Sequence, residues 1–475
     1  MSPEQTPQHD KTETVLVWED DPGRPPSVRT PLRRPVPDLS APPLPVGVSA
    51  ERPTANGERP GTPEFRYWAA AEALSRAAGF WGPLMPPGVT WHTSVGNTLT
   101  AVLDAGDDLN AYYDRTQLAF FHHTVAGITV RSCESPDVVC HETGHAVLDA
   151  LRPQLWDAAS AEAAALHESF GDMSAILSAL QVEPLREAVL ADTQGSIAVN
   201  SRLSRLAEQL GWAVRRLQPD SADADCLRNA TNRFFYQDPL TLPPMAPATA
   251  LASEPHSLSR VFTGAFLEAL AGVFRVQQNR NADGLSLAAG IMGRLLVAGC
   301  LTAPVVPGYF AQVAAHMIAA DQNAFHGEYG PALRSAFVRH GIVSVPDATA
   351  ITPEAVERYI AGIAPSAPDS GESLTPVTLP GDVYGLTDPL TVRAPAQQPR
   401  FAVAGSDPVA GSLPLPAADL VATSFVEDLL RQGRVTVPEE NLTPSAVVVD
   451  GAGTHTHEIA RTEADGLTLL RRVFT

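Results

Sequence analysis

"SPDVVCHETGHAVLDA", residues 135–150, decides the fold, because it places two histidines and a glutamate on one apolar helix. His141 and His145 are four residues apart, so on a helix both side chains project from one face and both rings can bind the same Zn²⁺. Glu142 lies between them and can act as a general base toward a water on the metal. The pentapeptide therefore predicts a zinc site of the hydrolytic kind.

A second apolar helix supplies the third ligand. Residues 166–180, "LHESFGDMSAILSAL", are predicted to be helical, with Glu168 and Asp172 four apart on one face. Glu168 follows His145 by 23 residues and completes a three-ligand set with a fourth position left for water. The alternative is a pair of carboxylates placed near a helix N-terminus by the helix dipole alone.

Together these two segments resemble the zinc helices of the thermolysin-like neutral metallopeptidases. "NAYYD" at residues 110–114 is similar to the family's edge-strand segment, which binds the substrate backbone. "DCLRNA" at residues 225–230 is similar to the family's "DSLRSM", and His256 follows Arg228 by 28 residues, as in the family. The resemblance extends over about residues 62–344.

The resemblance implies an α+β fold with two lobes. A β-rich N-lobe with the first zinc helix is expected over residues 62–150, and a mainly helical C-lobe over residues 151–345. By composition, residues 1–61 are predicted to be a flexible Pro-rich segment, and residues 346–418 a helix followed by a Pro/Gly-rich linker or loosely ordered strands. Residues 419–475 read as one helix and short strands, which predicts a small α+β appendage whose partner stays open.

Roles for individual residues follow from the resemblance, position by position. His141, His145 and Glu168 would bind Zn²⁺, with Glu142 as the catalytic base and His256 as the catalytic oxyanion donor. His141 would donate a hydrogen bond to Asp172. The substrate would be contacted by Asn110, Ala111, Val138, Leu227 and Arg228. Val138 and Leu227 would line the pocket for the residue after the scissile bond. Both are apolar, so cleavage is expected before Leu, Ile, Val or Phe.

Several of these residues have simpler interpretations that the sequence leaves open. Asn110 can end a loop, Arg228 can be a surface arginine, and His256 can cap the helix that follows it. His167, beside Glu168, is interpreted as a bystander and not a metal ligand, because it lies about 100° around the helix from Glu168.

Two positions depart from the family pattern. Trp156 stands where the family has a tyrosine that helps to stabilise the oxyanion; its indole N–H is a donor with a different reach, and Tyr236 is an alternative. Leu251 replaces the aspartate that orients the catalytic histidine, which leaves Glu254 as the nearest acidic candidate.

Composition narrows the partners. A net charge of −20 argues against nucleic acid and against anionic membrane surfaces, so the expected partner is a peptide or protein substrate. No apolar run is judged long enough to span a bilayer, and the start of the chain has no signal-peptide pattern. The four cysteines are then expected to be free thiols and the location cytoplasmic by default, with signal-independent secretion as an alternative.

The sequence therefore predicts a zinc-dependent metalloendopeptidase. One alternative is a degenerate zinc-containing protein that binds peptides without cleaving them, motivated by Trp156 and Leu251. Another is an aminopeptidase, for which the sequence shows no acidic anchor for a free amine.

Overall fold

The computed structural model describes residues 13–55, 57–351, 374–395, 416–446 and 454–474. Helices and strands are mixed throughout these residues, which confirms the α+β class. The helices are α1 (Pro63–Trp81), α2 (Pro136–Leu151), α3 (Ala161–Ala179), α4 (Glu183–Thr193), α5 (Glu208–Leu217), α6 (Pro255–Val276), α7 (Ala282–Thr302), α8 (Tyr309–Phe325), α9 (Gly330–Arg339), α10 (Val345–Ala350) and α11 (Ala418–Arg431). The strands are β1 (Thr14–Val17), β2 (Leu32–Pro35), β3 (Val46–Val48), β4 (Leu99–Val102), β5 (Ala111–Tyr113), β6 (Leu118–Phe120), β7 (His122–Val125), β8 (Ile128–Arg131), β9 (Arg205–Leu206), β10 (Arg228–Asn229), β11 (Thr375–Leu379), β12 (Leu390–Ala394), β13 (Val435–Thr436), β14 (His457–Thr462) and β15 (Gly466–Arg471).

Helix α3 lies at the centre of the molecule. All its residues after Ala161 are buried, as expected for a helix that is apolar on all sides and packs against others all round. It packs most extensively on α2 and α6, and α1 reaches it through Trp81, whose indole donates a 2.9 Å hydrogen bond to Ser174. The two predicted zinc helices are therefore neighbours in the core.

A four-stranded sheet borders these helices, in the order β3-β4-β6-β5. Strands β3, β4 and β6 are parallel, and β5 pairs antiparallel with β6 and forms one edge. The prediction of a flexible segment over residues 1–61 is wrong for residues 13–55. Val15, Val17 and Val46 are buried there because β1 and β3 both pack on α1, and β3 is itself an outer strand of the sheet. Residues 1–12 lie outside the described part of the chain.

The C-terminal appendage is larger than predicted. Its five-stranded sheet has the order β11-β12-β15-β14-β13, and α11 packs on β11 and β12. Strands β11 and β12 come from the stretch predicted as a linker or loosely ordered strands; the structure has strands there, and Leu379, Leu390 and Val392 are buried. The predicted helix that begins at Ile351 lies almost wholly outside the described residues.

Two helices are more apolar than the sequence analysis predicts. By length and composition alone, α6 and α7 qualify as membrane-spanning candidates, whereas no apolar run was expected to do so. In the most apolar 18-residue window of each, 89% of α6 and 67% of α7 is buried inside the protein. That degree of burial is also what the core helices of a folded domain show.

Glu162, in the first turn of α3, makes the stability of this core depend on pH. Its buried carboxylate accepts hydrogen bonds from the Tyr236 hydroxyl (2.5 Å) and the Phe310 N–H (2.8 Å), and burial raises its pKa from 4.5 to about 7. Because the pKa is higher in the folded chain, the stabilisation is complete below the unfolded pKa and is lost as the pH rises through about 7.

We expect Glu162→Gln to flatten this dependence, since the amide does not titrate. Its oxygen can accept the Phe310 N–H, and its NH₂ group can donate to the Tyr236 oxygen. Between about pH 4.5 and 7 the free energy of unfolding should fall less steeply with pH in the variant than in the unaltered chain. The two slopes should differ by about 1.4 kcal/mol per pH unit. Urea unfolding at several pH values measures both slopes. Equal slopes in the variant and the unaltered chain would show that Glu162 is ionised in the fold throughout.

Candidate metal centre

Helix α2 presents the HExxH residues at the floor of a cleft. Ser135 caps the helix by accepting the Val138 N–H, and Pro136 occupies the first turn, where no backbone donor is needed. Packing against α3 is very close. A Cβ on Gly171 of α3 would lie 2.6 Å from the ring of His141, so only glycine lets the ring sit there.

His141, His145 and Glu168 converge as the sequence predicts. The Nε2 atoms of His141 and His145 lie 3.4 and 3.8 Å from Glu168 Oε2, and the three ligand atoms all lie within 4.8 Å of one another. A tetrahedral ion with bonds of about 2.0–2.1 Å separates its ligands by about 3.4 Å. No second group of this kind converges among the residues that the structure describes.

Buried polar atoms without partners surround the same point. His145 Nε2, Glu168 Oε2 and Glu142 Oε2 have no hydrogen bond, although each is shielded from solvent. Leaving such atoms unsatisfied costs about 1–3 kcal/mol each, which a bound cation would relieve. The buried His141, His145 and Glu168 group can therefore hold a metal ion.

Each histidine is held by its other ring nitrogen. His141 Nδ1 lies 3.0 Å from Asp172 Oδ1, and Arg228 donates hydrogen bonds from Nε and Nη2 to the same carboxylate at 2.7–3.2 Å. Burial would raise the pKa of Asp172, but Arg228 and His141 hold it below its ordinary value. The ionised Asp172 therefore fixes the ring of His141 with Nε2 toward the other ligands.

His167 has a role that sequence reasoning missed. His167 is not one of the three converging ligands, in agreement with the sequence analysis, but its Nδ1 lies 2.9 Å from Nδ1 of His145, so it contacts a ligand histidine. If Nε2 of His145 binds a metal, Nδ1 carries the proton and His167 accepts it in a hydrogen bond. The sequence contains one signal for this role, the position of His167 next to the predicted ligand Glu168. Neighbouring residues on a helix point about 100° apart, so His167 meets a different partner from Glu168 while staying close to the site.

Protonation differs between the two ligand histidines. Burial lowers the pKa of His145 well below its ordinary value, so this ring is neutral and suited to binding a metal. Burial acts the same way on His141, but the neighbouring carboxylates of Asp172 and Glu168 raise its pKa to about 9. A metal that binds here therefore displaces a proton from His141.

Glu142 and His256 flank the ligands. Burial raises the pKa of Glu142 to about 8 against the opposing charge of His141, and a cation in the site would lower it again. His256 Nε2 lies 3.2 Å from Glu168 Oε2, and its Nδ1 lies 2.6 Å from Glu254 Oε1. Burial lowers the pKa of His256, but Glu168 and Glu254 outweigh it and raise the value, so His256 is held as a donor.

Glu254 thus provides a carboxylate that orients His256, a group that the leucine at position 251 cannot supply. It also caps α6, because its side chain accepts the Ser257 N–H, and this second bond fixes its position. The two-residue spacing from His256 did not reveal the contact in advance, since it depends on the turn that begins the helix.

An open cavity of about 1120 Å³ adjoins the triad. Its lining includes His141, Glu142, Arg228 and the predicted apolar pocket residues Val138 and Leu227. Arg228 uses Nε and Nη2 for Asp172, and among the described residues Nη1 makes no hydrogen bond. The cavity therefore combines an apolar wall with donors close to the candidate metal position.

Asn110 and Ala111 lie on the rim of this cavity, at the start of the edge strand β5. The side chain of Asn110 accepts the Ala111 N–H (2.9 Å) and donates to the Thr454 hydroxyl of the appendage (2.7 Å). Asn110 is therefore engaged within the protein in this structure.

The structure does not support Trp156 or Tyr236 as oxyanion donors. Trp156 is buried and donates its indole N–H to the Arg471 carbonyl at 3.2 Å, while Arg471 Nε donates back to the Trp156 carbonyl. Tyr236 donates to Glu162. Both groups are committed to packing, so His256 is the side chain that lies beside the triad with a proton to donate.

Comparison of the chain with models of known protein families and with curated proteins gives no match in either case.

Proposed function

We propose that this chain is a zinc-dependent peptidase of the thermolysin-like type. One observation carries the proposal: two histidines and a glutamate converge with unsatisfied buried atoms, and Glu142 and His256 stand on either side of them. Zinc fits a set of two imidazoles and one carboxylate in a site of this size. We further propose that the sheet and the helical core correspond to the two lobes of that fold.

The reaction we propose is hydrolysis of a peptide bond in the cleft. When bound, zinc would act as a Lewis acid toward the substrate carbonyl and lower the pKa of water. Glu142 would take the proton of the attacking water and pass it to the leaving amine. His256 would donate to the carbonyl oxygen as negative charge develops there, and Arg228 Nη1 would hold the next carbonyl.

Val138 and Leu227 determine the expected specificity. Both line the open cavity beside Glu142, so the residue after the scissile bond would pack its side chain against them. We expect cleavage before Leu, Ile, Val or Phe when a mixed peptide library is incubated with the zinc-loaded chain and the products are sequenced by mass spectrometry. Cleavage before charged residues would contradict this pocket assignment.

A matched digest with Glu142→Gln separates this activity from contaminating proteases. Cuts made by the unaltered chain and absent with the variant support the proposal. Cuts made equally by both belong to another enzyme, and stoichiometric zinc without cleavage favours the alternative function.

The alternative is a zinc-containing protein that binds peptides without cleaving them. One observation favours it: the indole N–H of Trp156 bonds to Arg471 and is not available to a substrate oxygen. Loss of one oxyanion donor costs about 10²–10³-fold in rate in other hydrolases, which slows turnover without abolishing it. We therefore retain peptide hydrolysis as the main proposal.

A further inference from the structure

The C-terminal segment enters the cleft as an added strand. After β15 the chain continues to Phe474, whose N–H and C=O both bond to Tyr113 of β5 at 3.0 Å. β5 is an edge of its sheet, and such an edge is where a peptide main chain can add. The protein's own chain therefore already uses one end of this edge.

The side chain of Phe474 lies directly behind the candidate metal ligands. Its ring stacks on His167 with centroids 3.8 Å apart and on His145 with centroids 5.2 Å apart. Arg471 covers its other side at 4.0 Å, and only 1% of Phe474 is exposed. In the segment Arg471–Phe474, called here the C-terminal plug, every side chain except the exposed Arg472 is packed as core.

The space on this side of the triad is almost filled. Between Glu168, His256 and the plug residues Val473 and Phe474 there remains a cavity of about 30 Å³, which has room for about one water molecule. The cavity on the other side, beside Glu142 and Val138, measures about 1120 Å³. The cleft is therefore almost closed on the plug side of the triad and open on the Glu142 side.

Several contacts fix the appendage in this position. Besides the Trp156–Arg471 pair, the Arg393 carbonyl accepts the Ala159 N–H at 2.8 Å. Gln432 donates to the Pro244 carbonyl at 3.0 Å, and Ser253 bonds to Asp428 at 2.5 Å. These contacts spread over several elements, so the plug is a built-in part of the cleft and not a loose lid.

The direction of the plug determines which half of a substrate it excludes. Phe474 pairs antiparallel with Tyr113, so a strand that runs in the same direction reaches Ala111 after it has passed Tyr113. A peptide bound in this direction beside Ala111 would place its preceding, N-terminal residues where the plug lies. Its C-terminal residues would extend toward the open cavity.

We propose that the plug excludes the N-terminal part of a substrate, so that the cleft takes peptides at their N-terminal end, with one or two residues ahead of the scissile bond. This inference rests on the proposed function for the existence of a scissile bond, and it narrows the expected endopeptidase to an enzyme that trims peptides. Phe474 is its specificity-determining residue.

Peptide binding to the Glu142→Gln chain tests the proposal without requiring turnover. The probes are synthetic peptides with one Ala-Leu bond, lengthened by alanines either before or after it, and isothermal titration measures the Kd with zinc present. Lengthening after the bond should tighten binding roughly tenfold, since it adds strand hydrogen bonds, while lengthening before it should change Kd less than twofold. Tenfold tighter binding from residues added before the bond overturns the proposal, whether or not the unaltered chain cleaves.

A variant of the plug gives the converse result. In Phe474→Pro, added in the same background, both the ring and the N–H that bonds to Tyr113 are lost, so residues ahead of the bond should tighten binding roughly tenfold. Arg472→Ala is the matched control, because Arg472 is in the same segment but exposed and paired with Glu458 outside the cleft; it should behave as the parent. If the unaltered chain shows no cleavage and Phe474→Pro with Glu142 intact cleaves, the plug is an inhibitor of all turnover, and the trimming proposal is wrong.

Discussion

Replacing Glu142 with Gln is expected to lower the rate of peptide cleavage by about 10²–10⁴-fold while the chain keeps its zinc. The amide has the same shape as the carboxylate but cannot accept a proton. Glu142 lies outside the ligand set, and its Oε2 atom faces no hydrogen-bond donor. The measurement is kcat/KM on a peptide cut by the unaltered chain, together with zinc content by plasma mass spectrometry.

The matched control for this prediction is Glu162→Gln. Glu162 is also a buried glutamate, but it lies near the start of α3 and bonds to Tyr236 and Phe310 instead of facing the cleft. It should leave kcat/KM unchanged at neutral pH. A Glu142→Gln chain that cleaves at the original rate would show that another group is the base.

His145→Ala should abolish both zinc binding and cleavage. The change removes one of three ligands, and its effect on metal affinity should exceed the 10–100-fold typical of losing a partner behind a ligand. It also removes a ring that packs against both Phe474 and His167. Zinc per chain is measured after dialysis against a competing chelator, and near-native far-ultraviolet circular dichroism verifies the fold.

Two histidines serve as comparisons for His145→Ala. His167→Asn keeps an acceptor for His145 and should lower zinc affinity by no more than 10–100-fold. His122→Ala should have no effect, because His122 is a partly exposed residue paired with Asp104 away from the triad. Full zinc occupancy in His145→Ala would mean that the ligands are assigned incorrectly.

The sequence predicts the metal centre well because its geometry is local. Four-residue spacing on a helix places His141 and His145 on one face whatever surrounds them, and the same spacing relates Glu168 to Asp172. Only the meeting of α2 and α3 needs the fold, and the small residues Gly144 and Gly171 allow it. The α+β class follows from the same alternation of helical and strand-like segments.

The sequence does not predict what depends on contacts between distant parts of the chain. Tyr113 and Phe474 are neighbours in space but far apart in sequence, and nothing in either segment indicates the pairing. The commitment of Trp156 to Arg471 has the same origin. Proline-rich composition predicts a flexible segment for β1 and a linker or loosely ordered strands for β11. Each strand pairs with the next strand of its own segment, β2 or β12, but packs on a helix from another part of the chain, α1 or α11.

X-ray absorption at the zinc edge of the zinc-loaded chain tests the central claim most directly. We predict four light ligands, with nitrogen and oxygen at about 2.0–2.2 Å, and no sulfur. In His145→Ala the zinc signal should be lost or show a changed ligand set. A sulfur ligand at about 2.3 Å, or a spectrum identical in the two proteins, would contradict a metal centre built from His141, His145 and Glu168.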